Sequence, residues 1–152
     1  GYFDHLLGAL QAADGVYGPK LSQDAYRRYY QAIAVGQRLV HGVTGIPCAS
    51  GSNMALRRSA FAATGGFRVD LRCNEDTELF HRASLAGQQL RFDAQLSVWA
   101  TDHRRLDRGV WAKTLHSVVR SGLIWGALHT PRMPRFLLND WGYWRQNDEP
   151  GS

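Results

Sequence analysis

The chain has little lysine, little cysteine and no long apolar run, and each shortage removes a class of protein. Of 18 cationic side chains, 16 are arginine and only 2 are lysine, so positive charge here comes as planar forks of donors. The two cysteines, Cys48 and Cys73, lack metal-ligand spacing and are too few for a disulfide framework. They read as buried free thiols. The best apolar stretch, residues 122–128, is far too short to span a bilayer. No signal peptide, internal repeat or low-complexity run is visible. There is also no P-loop, no G-x-S-x-G elbow, no dinucleotide G-x-G-x-x-G and no H-E-x-x-H. Those absences argue against an ATPase, a serine hydrolase, a Rossmann oxidoreductase and a zinc protease.

What is present is a folded composition. At 152 residues, 44% hydrophobic and 20% charged, the chain fits one domain with a real core. Its net charge of +5 rests on arginine, which suits phosphate and carboxylate partners. A generically basic surface explains the same charge.

Hydrophobic spacing divides the chain into helices and strands. Phe3, Leu6, Leu7 and Leu10 recur at helical spacing over residues 2–13. Residues 15–19 read as a strand broken by Gly18-Pro19. Ser22 or Asp24 can cap a helix in which Tyr26, Tyr29, Tyr30, Ile33 and Val40 share a broad face. A small-residue loop then runs into a strand ending at Leu56. A short helix capped by Ser59 stops at Gly65-Gly66, because glycine takes left-handed angles freely. A further helix covers residues 76–86 and ends at Gly87, followed by strands at 90–92 and 96–100. From residue 108 a long helix carries Trp111, Leu115, Val118, Gly122 and Trp125 as a narrow stripe, and Pro131 and Pro134 end it. An aromatic-rich element at 136–144 closes the order. Mixed helix and strand in this sequence predicts a layered α/β domain.

Three groups of residues can carry chemistry. Asn74-Glu75-Asp76 sets two adjacent carboxylates at a helix start, where unpaired N–H groups and a partial positive charge favour anions. Neighbouring side chains there diverge by about 100°, so one can face a substrate while the other orients it. A plain acidic first turn capped by Asn74 accounts for the same residues. Gly51-Ser52-Asn53 offers close backbone approach and polar donors for a phosphate or a sugar hydroxyl; an ordinary turn does too. Asp102-His103-Arg104-Arg105 follows the last predicted strand, where ligands of α/β sheets tend to sit. His103 could ligate a metal or touch a phosphate there, and the arginines could neutralise a diphosphate. A solvated basic loop is the alternative. His81, His116 and His129 are scattered, with no zinc motif among them.

The order of these pieces adds information. Residues 51–61, then Gly65-Gly66-Phe67, Asn74-Glu75-Asp76-Thr77-Glu78-Leu79, Arg82, Gly87 and His103-Arg104, resemble the acceptor-side half of a family 2 glycosyltransferase with the GT-A fold. The resemblance covers roughly residues 10–125, and its block from Gly51 to Gly87 is the most specific. It implies a partial GT-A α/β domain, a mixed sheet with flanking helices over residues 1–103, with a C-terminal helical extension at 104–152 packed on it. It further implies transfer of a sugar from a nucleotide-diphosphate donor to a saccharide or lipid-linked acceptor hydroxyl, with inversion. On this resemblance Asp76 is the general base and Glu75 places it or contacts the acceptor. Gly51, Ser52, Asn53 and Arg104 line the substrate site, and His103 binds Mn²⁺ or Mg²⁺. The expected setting is cytoplasmic, at the inner face of a membrane, with peripheral membrane contact and no nucleic acid. The family's nucleotide-binding βαβ half and its Asp-x-Asp motif do not occur in this sequence, which resembles a chain opening just after that motif. The processive members' Gln-x-x-Arg-Trp motif is missing too.

Two other readings compete with transfer. One is a basic module that binds nucleic acid or acidic glycans without catalysis, on its arginines and five tryptophans. The other gives the late helix, with Trp111, Arg120 and Trp125, a place on a membrane surface.

Overall fold

A computed structural model describes residues 1–69, 71, 74–101, 103–107 and 109–130, without the side chains of Arg104 and Arg105. The expectations resting on Cys73, Asp102, the Arg104 and Arg105 side chains, and the element at 136–144 fall outside the described residues.

The architecture is mixed α/β: two small sheets flanked by helices, with a long helix late in the chain. The elements run α1 (Tyr2–Ala12), β1 (Gly15–Tyr17), β2 (Lys20–Leu21), α2 (Arg27–Thr44), β3 (Met54–Leu56), α3 (Arg58–Ala63), α4 (Glu75–Leu85), β4 (Leu90–Phe92), β5 (Val98–Trp99), α5 (Arg104–Asp107) and α6 (Val110–His129).

β1 is the middle strand of the larger sheet. It pairs antiparallel with β3, Val16 opposite Ala55, and parallel with β4, Val16 opposite Arg91. Every residue of β1 is buried, as its run of small and apolar side chains requires. Alternation sends its side chains to two faces. Val16 packs with Ala9 and Ala13 beneath α1, and with Leu96. Tyr17 points the other way, against Phe80 of α4 and Ala49. Glycine is required just after this strand, because a Cβ on Gly18 would lie 1.8 Å from the Leu96 carbonyl oxygen. β2 and β5 form a second, parallel pair. A third cluster, Tyr30, Ala100 and Leu106, joins α2 to the stretch after β5.

Several boundaries differ from those expected. α2 begins at Arg27, and Asp24 instead accepts the Tyr26 N–H in a turn before it. α3 starts one residue before Ser59, whose hydroxyl makes no cap. β5 keeps only two of the five residues expected.

α6 departs most. Its stripe of Trp111, Leu115, Val118 and Trp125 is exposed, whereas Ile124 and Arg120 are buried. Arg120 has no solvent exposure, and its Nε donates to Asn74 Oδ1 at 3.4 Å. The helix therefore packs on the domain with its cationic side, and Arg120 takes no part in an interfacial face. Among the described residues no helix is long and apolar enough to cross a membrane.

Candidate active site

α4 is aimed by the backbone before it. Asn74 sits in the left-handed region, φ 58° and ψ 28°, where asparagine is tolerated better than most residues. Its side chain makes no cap on α4. At the preceding corner, Arg82 reaches back from α4. Its Nε and Nη2 pair with both oxygens of Glu78 at 2.9 and 2.8 Å, Nη2 also donates to the Gly66 carbonyl at 2.7 Å, and Nη1 donates to the Thr64 carbonyl. Glu78 is buried, so this fork both neutralises a buried carboxylate and ties α4 to the Gly65-Gly66 turn.

That placement brings Asp76 onto the glycine turn. Residues 50–53 form a tight turn closed by the Asn53 N–H on the Ser50 carbonyl at 2.9 Å. The outward N–H of Gly51 donates to Asp76 Oδ2 at 2.5 Å. Asp76 Oδ1 accepts the Thr77 N–H at 2.7 Å. The glycine is needed for this approach, since a Cβ on Gly51 would stand 2.9 Å from Oδ2 and 3.3 Å from the Asp76 Cβ. The carboxylate is half-buried; Oδ1 also accepts from the Thr77 hydroxyl at 3.4 Å, and Oδ2 keeps a lone pair beyond its backbone bond. A fixed, half-open acceptor of this kind can take a proton from a hydroxyl brought to the turn.

The other expected residues divide. Ser52 lies exposed on the same turn, its hydroxyl 3.1 Å from that of Ser50. Glu75 is exposed and has no polar partner among the described residues. Asn53 is buried and its amide is occupied by the fold: Nδ2 donates to Pro19 and Leu96 carbonyls at 3.1 and 2.6 Å, and Oδ1 accepts from the Tyr2 hydroxyl at 2.6 Å. Asn53 thus supports the turn from beneath.

His103 belongs to a separate cluster. Its Nε2 pairs with Asp24 Oδ2, Nδ1 lies 3.5 Å from the Tyr30 hydroxyl, and the ring packs on Tyr26 and Tyr30. Hydrogen bonds from Ser22 and the Tyr26 N–H, then the charge and proton of His103, hold the Asp24 carboxyl below its ordinary range. None of these polar or ring contacts reaches Asp76 or the Gly51 turn. No group of three or more His, Cys, Asp or Glu suited to a metal exists among the described residues. His103 and Asp24 supply two donors that bond each other, so the described residues do not fit Mn²⁺ or Mg²⁺. No sequence signal links residue 24 to residue 103; a cap reading of Asp24 hid the pair.

A cavity of about 220 Å³ lies between the ends of α2, α4 and α6, lined in part by Pro47, His81, Trp125 and His129. Neither Asp76 nor the Gly51 turn lines it. Its buried histidine makes stability depend on pH. His81 Nε2 donates to the Pro47 carbonyl at 3.0 Å, and burial pushes its pKa below the ordinary histidine value, against the opposing pull of that carbonyl and of Glu78. Burial does the same to His41 beside Tyr17. As pH falls past about 6.5, the unfolded chain binds these protons and the folded one resists them. Stability is therefore full above that pH and declines below it. The lowered carboxyls of Asp24 and Asp93 act separately, below about pH 4. Urea unfolding is expected to show lower stability at about pH 5.5 than at about pH 7.5, with a smaller difference in His81→Gln. Equal stability at both values in the parent chain would contradict a neutral buried His81.

Comparison with protein-family models, with curated proteins and with solved structures finds no match to this chain.

Proposed function

We propose that this chain is the acceptor-side part of an inverting family 2 glycosyltransferase with a partial GT-A fold, and that Asp76 is its general base. One observation carries the reading: the Asp76 carboxylate closes on the Gly51 N–H, joining the two motifs that the resemblance assigns to one cleft. The central strand β1, with β3 antiparallel on one side and β4 parallel on the other, suits the mixed sheet such a domain needs.

In the reaction the acceptor hydroxyl oxygen attacks the anomeric carbon of the donor sugar. A new glycosidic C–O bond forms on one face as the bond to the diphosphate breaks on the other. Asp76 accepts the hydroxyl proton, and the nucleoside diphosphate leaves with the bonding pair. The Gly51 and Thr77 N–H groups hold the carboxylate in place for this step. Ser52 and the exposed Glu75 flank the base and suit contacts to acceptor hydroxyls. The leaving diphosphate needs positive charge. Arg104 is a candidate for it, and the expected Mn²⁺ or Mg²⁺ would need donors beyond the described residues. The acceptor is a saccharide, free or lipid-linked, and the setting is the cytoplasm at the inner face of a membrane.

The test is transfer by the protein that carries this chain. It is incubated with a panel of labelled nucleotide sugars, a divalent cation and saccharide or glycolipid acceptors. The expected result is acceptor-dependent release of nucleoside diphosphate and a product of inverted anomeric configuration. Absence of transfer across the panel, or retention of configuration, would remove the proposal.

A further inference from the structure

The cavity at the ends of α2, α4 and α6 has a wall that accepts hydrogen bonds and offers almost none. No lysine, arginine, aspartate or glutamate is among its described lining residues. Four polar side chains line it besides Trp125, and each commits its hydrogen to a backbone carbonyl. The Thr44 hydroxyl donates to Val40 at 2.6 Å and the Ser84 hydroxyl to Gly45 at 3.5 Å. His81 Nε2 donates to Pro47 at 3.0 Å and His129 Nδ1 to Trp125 at 2.8 Å. The loop after α2 adds no free donor. The Gly45 N–H bonds the His41 carbonyl at 2.9 Å, the Ile46 N–H bonds Thr44 Oγ1 at 3.1 Å, and Pro47 has no N–H.

Acceptors are left over. With Nε2 protonated, His81 Nδ1 is a lone pair, and it has no hydrogen-bond partner among the described residues. His81 is only 3% exposed, so that acceptor is costly to leave unmet. His129 Nε2 is a lone pair by the same reasoning. Three helices also bring their C-terminal ends here, and a helix C-terminus carries partial negative charge. Trp125 packs on His129 with ring centroids 4.2 Å apart and supplies an aromatic wall that attracts cations. An anion would meet no cationic side chain among the described lining residues.

We infer that this cavity binds a small organic ammonium ion. Its apolar body lies against Ile46, Pro47, Leu85 and Trp125, and its N–H groups donate to the acceptors of the wall, His81 Nδ1 among them. The volume of about 220 Å³ suits one ring with a short ammonium arm, since a cavity of about 150 Å³ holds benzene. Neither Asp76 nor the Gly51 turn lines the cavity, so the inference does not rest on the transferase reading.

The test is titration of the full chain with benzylammonium, and with benzyl alcohol and benzoate as its neutral and anionic counterparts. It is run at about pH 7.5, above the ordinary histidine value. The readout is the Trp125 indole N–H resonance, assigned by its loss in Trp125→Phe. Benzylammonium is expected to shift that resonance saturably, with Kd on the order of a millimolar. It should bind at least about tenfold more tightly than benzyl alcohol, and benzoate should not bind. Ser84→Phe puts a ring into the cavity from a half-buried position on α4 and should weaken binding at least about tenfold. Trp111→Phe, at an 85% exposed position outside the lining, should leave it unchanged. The comparison of the three compounds uses the parent chain alone, so it decides the matter even if Ser84→Phe does not fold. No saturable shift, equal or tighter binding of the alcohol or of benzoate, or unaltered affinity in folded Ser84→Phe would each overturn the inference.

Discussion

Asp76→Asn is expected to lower transfer by the protein that carries this chain about a thousandfold while leaving donor binding intact, because removal of a general base typically costs 10²–10⁴ in rate. The amide keeps the size of the side chain but cannot accept the hydroxyl proton. It also disturbs the site in a foreseeable way. Asp76 accepts two backbone N–H bonds, from Gly51 and from Thr77, and an amide presents one acceptor and one donor end. One of those N–H groups loses its partner, which costs about 1–3 kcal/mol if it stays dry. A merely structural role would stop at that loss. The discriminating readout is kinetic: kcat should fall with the donor KM unchanged. Gly51→Ala supplies an independent check. It preserves the carboxylate but forces it from a position 2.9 Å from the added carbon. It should lower kcat with the charge still present. Near-parental turnover in Asp76→Asn would show that the proton goes elsewhere.

Much of the fold was legible because local rules decided it. A short buried run ended by Gly18-Pro19 can only be a brief strand, and β1 stops at Tyr17. Gly87 takes φ 78° after α4, as a helix stop requires. The meeting of Asp76 with the Gly51 turn was also anticipated, through the order of motifs. Other features are settled by distant partners. Asn53 looks like a free donor in sequence, yet three groups from remote segments take up its amide. Asp24 looks like a cap, yet it engages a histidine at the far end of the domain. The stripe on α6 announces an apolar face without saying which side the domain takes. An arginine ordinarily faces water. Here the domain takes the side of Arg120, because Asn74 offers it a carbonyl and the neighbouring Ile124 fills the core.

Arg82→Met is expected to destabilise the chain by about 3–5 kcal/mol, the usual cost of stranding a buried charge when its partner is removed. Glu78 is only 2% exposed, whereas Arg82 is 24% exposed. Removal of the arginine therefore leaves the carboxylate where water cannot replace the lost donors. The Thr64 and Gly66 carbonyls lose theirs as well. An exposed pair of the same i,i+4 spacing would contribute only a few tenths of a kcal/mol, so the size of the effect decides between the two cases. Denaturant unfolding of four proteins measures it: parent, Arg82→Met, Glu78→Gln and the double variant. Neutralising Glu78 removes the stranded charge, so the double variant should be more stable than Arg82→Met alone, a coupling that independent residues do not show. Additive losses, or a cost below about 1 kcal/mol for Arg82→Met, would place the pair among surface ion pairs. The consequence extends to the candidate base. Arg82 binds α4 to the carbonyls of the Gly65-Gly66 corner, and α4 carries Asp76 to the Gly51 N–H. Loosening that corner by even an ångström would take the carboxylate out of reach of a hydroxyl, so Arg82→Met should depress turnover even at temperatures where the variant remains folded.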